Sequence, residues 1–137
     1  MNEIRQDKPT PLLDRDSKPF WDSLQERNMR LQRCAECDKI RHYPRPVCND
    51  CYSMEVDWML ASGKGKIHSW TVSYHAFHPG FIPDLPITLV TVDLEEGVRM
   101  CAQMRNFKPD ELRLDLPVIL GYEALSNDIT LPVFHPA

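Results

Sequence analysis

At 137 residues the chain has room for one modest hydrophobic core and a small appended module. A composition of 42% hydrophobic and 26% charged residues, with 12 prolines against five glycines, suits a folded protein with stiff loops and excludes a disordered one. The formal net charge of −4 argues against a phosphate-backbone binder, although Arg30, Arg33, Lys39, Arg41 and Arg45 concentrate in one short stretch.

Residues 1–16 mix charges and prolines and read as an extended arm without a signal-peptide pattern. No later stretch approaches the ~20 apolar residues of a membrane span, so the expectation is a cytoplasmic protein with reduced thiols and no membrane partner. A helix is predicted over Lys18 to Asn28, capped by Asp16 or Ser17, with Pro19 in its first turn and Phe20, Trp21 and Leu24 as an apolar stripe. That stripe packs either on the protein's own body or on a partner.

Residues 30–60 carry the strongest signal. Cys34-x2-Cys37 and Cys48-x2-Cys51, ten residues apart, have the spacing of two metal knuckles. Each turn lets two sulfurs reach one ion at ~2.3 Å, and an intervening hairpin brings the second pair opposite the first. Four thiolates leave no coordination position for water, so the expected metal is a single structural Zn2+.

From position 61 onward the pattern is that of strands. They are predicted near 65–75, 87–94, 98–104, 117–124 and 129–134, with a turn at Glu95-Glu96-Gly97 and one helical turn around Lys108–Leu112. Five strands interrupted after the third by a helical turn match a Greek-key barrel of the OB type. The predicted fold is therefore mainly β: an arm and helix over 1–29, a zinc ribbon over 30–60 and a five-stranded OB-fold barrel over 61–137.

Candidate chemistry outside the cysteines is sparse. His75-x2-His78 lies in a proline- and aromatic-rich loop without a suitable acidic neighbour, which points to contact rather than catalysis. Cys101, between Met100 and Ala102, reads as a small buried hydrophobe. Gly63-Lys64-Gly65-Lys66 lacks the Walker spacing, yet Lys64 and Lys66 could meet phosphates as point charges. No catalytic triad, nucleophile elbow or dinucleotide fingerprint is visible, and no catalytic residue is assigned.

Pro19-Phe20-Trp21, Leu31-Gln32-Arg33-Cys34-x2-Cys37, Tyr43-Pro44-Arg45-Pro46-x-Cys48-x2-Cys51, Gly63-x-Gly65 with Ser69, Gly97, Leu116-Pro117-Val118 and Leu131-Pro132-Val133-Phe134 occur in this order. Together they resemble the OB-fold proteins with an N-terminal rubredoxin-like zinc ribbon, long grouped as a domain of unknown function, over residues 19–137. The resemblance implies a non-catalytic subunit in acyl-CoA metabolism, paired in a hetero-oligomeric complex with a thiolase-like enzyme. Such complexes carry out β-ketoacyl-CoA thiolysis, acyl transfer or retro-aldol cleavage, and some relatives pair with hydratases. Acyl-CoA would then be a ligand of the complex, with Arg33, Arg41 and Arg45 offered to its phosphates and Lys64, Lys66, His75 and His78 as further contacts. The chain departs from the family in having Asp38 and Tyr52 where glycine often follows a knuckle, which leads one to expect a differently turned second knuckle. Two other readings are a nucleic-acid-binding ribbon and barrel, disfavoured by the net charge, and an iron electron-transfer site, which would be coloured.

Overall fold

The computed structural model describes residues 8–137. The first seven residues of the expected arm lie outside that range, and residues 8–14 form no regular element. Helix α1 runs over Lys18–Gln25, three residues shorter than predicted. It ends because Arg27 turns into the left-handed region at φ 59°, with its N–H donating to the Leu24 carbonyl and that of Asn28 to the Ser23 carbonyl. This is a Schellman closure with arginine in the position usually held by glycine.

The stripe on α1 packs on the protein's own body. Phe20 and Leu24 are buried in one cluster with barrel residues Ile67, Val90, Val92 and Phe134, and Trp21 lies against it. Each such burial is worth about 2–3 kcal/mol. Gln25 clips the helix to the far hairpin, donating to the Asn127 carbonyl and accepting from Thr130 Oγ1, both at 2.7 Å.

Three short strands follow: β1 (Arg30–Cys34), β2 (Ile40–Arg41) and β3 (Val56–Leu60), an antiparallel sheet in the order β2-β1-β3. The barrel is closed by β4 (Lys64–Ser73), β5 (Ile87–Leu94), β6 (Arg99–Met104), β7 (Pro117–Ala124) and β8 (Thr130–Pro136) in the order β4-β5-β6-β8-β7. β6 and β8 run parallel, the other pairs antiparallel, and β7 returns to β4. A single 3-10 turn, Pro109–Glu111, separates the third and fourth barrel strands. The fold is thus mainly β, with one short helix, a ribbon and a closed five-stranded barrel.

Two glycines hold this geometry in place. Gly97, at φ +88°, makes the β5–β6 turn, where most side chains would be strained. At Gly65 a Cβ would lie 2.5 Å from Val92 Cγ1 and 2.8 Å from the Asp93 carbonyl oxygen, so β4 and β5 approach too closely for any side chain. Along β6 the pleat sends Met100, Ala102 and Met104 inward, which leaves Cys101 exposed rather than buried as expected. No helix among the described residues is long and apolar enough to cross a membrane.

Candidate metal centre and its basic surroundings

The two knuckles are built alike. In the first, the Cys34 carbonyl accepts from Asp38 N–H at 3.0 Å and Cys34 N–H donates to the Lys39 carbonyl at 2.9 Å. In the second, Cys48 makes the equivalent bonds with Tyr52 and Ser53, each at 2.9 Å. Asp38 and Tyr52 adopt φ of 64° and 63°, the conformation glycine would take. The expectation of a differently turned second knuckle is therefore corrected: the same pair of backbone hydrogen bonds closes both turns, and Tyr52 bears a strain of about 1–2 kcal/mol.

The four Sγ atoms lie within 4.8 Å of one another, with Cys34 to Cys51 at 3.5 Å and Cys37 to Cys48 at 3.6 Å. A tetrahedron with Zn–S bonds of about 2.3 Å needs S···S separations of about 3.8 Å, so the donor set fits zinc. Cys34 and Cys48 are buried while Cys37 and Cys51 face outward. Backbone amides of Cys51 and Asp50 pull the Cys48 thiol down to about 6, and the Cys37 amide lowers Cys34. The Lys39 amide favours the Cys37 thiolate, but desolvation and the adjoining sulfurs outweigh it and push that thiol up to about 12. Two sulfurs thus ionise readily and a neighbour resists, a conflict that a divalent cation at their centre removes. When bound, the metal supplies a cross-link that holds the two turns together. Lys39 and Asp50 add a half-exposed ion pair at 3.0 Å between the knuckles, worth under about 1 kcal/mol.

Behind the knuckles lies a polar network that sequence reasoning missed. Gln32, only 2% exposed, accepts from Arg41 Nε at 2.5 Å and from the Arg45 N–H at 2.8 Å, and its Nε2 donates to the Arg45 carbonyl. Arg41 Nη2 also donates to that carbonyl, at 3.1 Å. Arg41 is therefore first a stitch between β1 and the loop at 42–46, whereas the Arg45 side chain is exposed. Arg33 stands opposite Ile40 and Asp57 in the ribbon sheet, half-buried. His42, also missed, packs on Phe20 and Tyr43 at ring distances of 5.1 and 4.0 Å, and burial pushes it down to about 4.

The remaining candidates do not converge on these arginines. Lys64 and Lys66, exposed at the start of β4, share a cavity with Asp93, Glu95 and Asp115, which offset their charge. His75 and His78 follow the other end of the same strand, whose ten residues span at most about 30 Å at about 3.3 Å per residue. His78 Nδ1 accepts from Gly80 N–H at 3.0 Å and so caps the 3-10 helix Pro79–Asp84, while exposed His75 stacks edge-on against Phe77 at 4.7 Å.

Comparison with known proteins follows these two modules. Residues 21–57 match the ChsH2 rubredoxin-like zinc ribbon domain, and residues 58–122 match the ChsH2 C-terminal OB-fold domain. The chain is 35% identical over 130 residues to a probable enoyl-CoA hydratase alpha subunit of Thermomonospora curvata, covering 95% of this chain and 40% of that protein. It is 32% identical to the 3-oxo-4,17-pregnadiene-20-carboxyl-CoA hydratase alpha subunit of Mycobacterium tuberculosis, covering 82% and 35%. The chain thus spans well under half of these two relatives. A benzoylsuccinyl-CoA thiolase subunit of Geobacter metallireducens is 29% identical, covering 74% of this chain and 66% of that subunit. Among solved structures, a chain of an Ltp2-ChsH2(DUF35) aldolase superposes with a TM-score of 0.85 at 34% identity, covering 93% of this chain and 98% of that one.

Proposed function

This chain belongs to the ChsH2 family, which joins a rubredoxin-like zinc ribbon to an OB-fold domain, and on that premise we propose that it is the zinc-binding OB-fold subunit of a hetero-oligomer with a thiolase-like enzyme. In that complex it binds or helps to present an acyl-CoA thioester, while the partner supplies the catalytic groups for thiolysis, acyl transfer or retro-aldol cleavage. The observation that carries the reading is the likeness to the aldolase chain, which this protein matches over nearly its whole length. The thiolase subunit among its relatives points the same way.

Within this reading the zinc has no chemical step. The four cysteines hold the ribbon rigid, and the ribbon carries Arg41 and Arg45 on and after β2. Arg45 is free to offer a forked pair of donors to a CoA phosphate, with Arg41 held behind it and Arg33 in the same sheet. The exposed Tyr74, His75 and Phe77 suit contact with the partner protein. Reduced thiols at the knuckles suit the cytoplasm.

Co-expression with a thiolase-like protein encoded beside its gene tests the pairing. Co-elution as one complex that binds acyl-CoA is expected, and separate elution with no acyl-CoA binding would refute it. A second reading, favoured by the two hydratase alpha subunits, pairs the chain with a hydratase domain. Water addition to an enoyl-CoA, rather than carbon–carbon cleavage, would identify it.

A further inference from the structure

The ribbon sheet has two outer edges, and they are not alike. β2 holds only two residues, with Lys39 before it and Arg41 within it, too short and too basic to invite a further strand. β3 is five residues long, Val56-Asp57-Trp58-Met59-Leu60, and its pairing with β1 is unbroken from Cys34↔Val56 to Arg30↔Leu60. It carries no lysine, proline or bulge, the devices that usually keep an edge unpaired, and Leu60 is 62% exposed.

Three hydrogen bonds give the direction of its backbone. Ala35 N–H donates to the Glu55 carbonyl and Ala61 N–H to the Met29 carbonyl, so the odd-numbered residues of β3 are the ones bonded to β1. Cys34 N–H donates instead to the Lys39 carbonyl, because the even-numbered residues of β1 turn towards β2. The N–H and C=O groups of Val56, Trp58 and Leu60 therefore point away from β1 at the open edge, and none of them has a hydrogen-bond partner among the described residues.

An edge of this kind is completed by another strand, and the residues of β3 select one. A second copy of β3, laid antiparallel across a two-fold axis at Trp58, puts Val56 opposite Leu60, Asp57 opposite Met59 and Trp58 opposite its own mate. Every outward group then finds a partner, because the Val56–Leu60 and Trp58–Trp58 pairs exchange both N–H···O bonds. On the Trp58 face, apolar side chains meet apolar ones. Other registers are worse. A slip of one residue sets outward groups against inward ones. Moving the axis to Asp57 places two carboxylates directly opposite each other, which is destabilising, and moving it to Met59 leaves Val56 unpaired.

We propose that β3 is a homodimerisation edge, through which two copies of this chain pair antiparallel over Val56–Leu60 about Trp58 and join their ribbons into one continuous sheet. A five-residue edge falls short of the about 800 Å² per partner of a standard interface, so the free chain pairs reversibly and in a concentration-dependent way. A hetero-oligomer of the kind proposed above would then hold this chain in twos, but the pairing does not depend on that reading.

The test is sedimentation of the zinc-loaded full chain over about a hundredfold range of concentration, with amide hydrogen exchange read at both ends of the range. A rise towards the dimer mass is expected, with slower exchange at Val56, Trp58 and Leu60 on concentration. Leu60→Pro removes an outward N–H but no bond within the ribbon, and Leu60→Lys keeps the backbone and sets an ammonium group opposite Val56 of the second copy; each weakens dimerisation at least tenfold while zinc is retained. Phe77→Ser, which removes an exposed ring elsewhere, changes it less than twofold. A monomer at every concentration, a dimer that Leu60→Lys leaves intact, or equal weakening by Phe77→Ser overturns the proposal. So does protection of the three amides only on addition of a thiolase-like protein, which would give the edge to a strand of that protein instead.

Discussion

His42 gives the seam between ribbon and barrel a pH dependence that can be calculated. Its ring is packed on Phe20 and Tyr43, and burial lowers it from the ordinary 6.5 to about 4. The charged groups that line the cavity between β2 and the β5–β6 hairpin, beside His42, are Lys39, Arg41, Arg45, Asp93 and Arg99. The native ring is neutral, so the unfolded chain binds the extra proton once the pH falls below 6.5. The stability contributed is complete above that value and is lost as the pH falls towards 4. Between about pH 7.5 and about pH 5 this amounts to about 2 kcal/mol, from 1.36 kcal/mol per pKa unit. Urea unfolding of the zinc-loaded chain and of His42→Phe at the two pH values measures it as a double difference, which cancels thiol protonation and the fixed cost of the substitution. Wild type should lose about 2 kcal/mol more than the variant on acidification. Equal losses would show that the imidazole titrates alike in the folded and unfolded chain, and the burial argument would be wrong.

Three further outcomes follow from particular contacts. Gly65→Ala should cost about 3 kcal/mol in chemical denaturation, because the 2.8 Å approach is to a backbone carbonyl within the β4–β5 ladder, whereas Gly97→Ala, with open space around it, should cost about 1 kcal/mol of backbone strain. Cys48→Ser should abolish stoichiometric zinc by atomic absorption and collapse the amide dispersion of the ribbon while the barrel resonances persist; a colourless wild-type protein with one zinc excludes iron. Tyr52→Gly should be more stabilising than Asp38→Gly by up to about 1 kcal/mol, since aspartate tolerates the left-handed region better and Tyr52 is 77% exposed with little packing to lose; the two melting curves decide it.

The cysteine knuckles were legible because their chemistry is local: ligand spacing alone dictates the turns. Strand β5 was predicted to the residue, because its alternation of inward and outward side chains is unbroken from Ile87 to Leu94. The same period-2 logic applied to β6 would have turned Cys101 outward, but Met100 and Ala102 on either side lent it an apolar appearance. The end of α1 was hidden because Arg27, not glycine, takes the left-handed position there. The ribbon strands escaped prediction because β2 holds only two residues and is fixed by pairing with β1. His42 and Arg99 carry no sequence signal of their own, and Gln32 enters only as one residue of a family motif, with no role attached to it. Their roles arise only when β1, β2 and the β5–β6 hairpin meet, which also explains why the basic candidates chosen from the sequence separated onto the seam, the start of β4 and the loop beyond its end.

The central claim is that this chain supports acyl-CoA chemistry performed by a partner. Reconstitution tests it most directly: the chain and the proposed thiolase-like partner are purified apart, then assayed alone and mixed on the same acyl-CoA thioester. No turnover by the chain alone is expected, and mixing should form a complex whose turnover exceeds that of the partner by itself. Turnover by the isolated chain, or a partner indifferent to its presence, would contradict it.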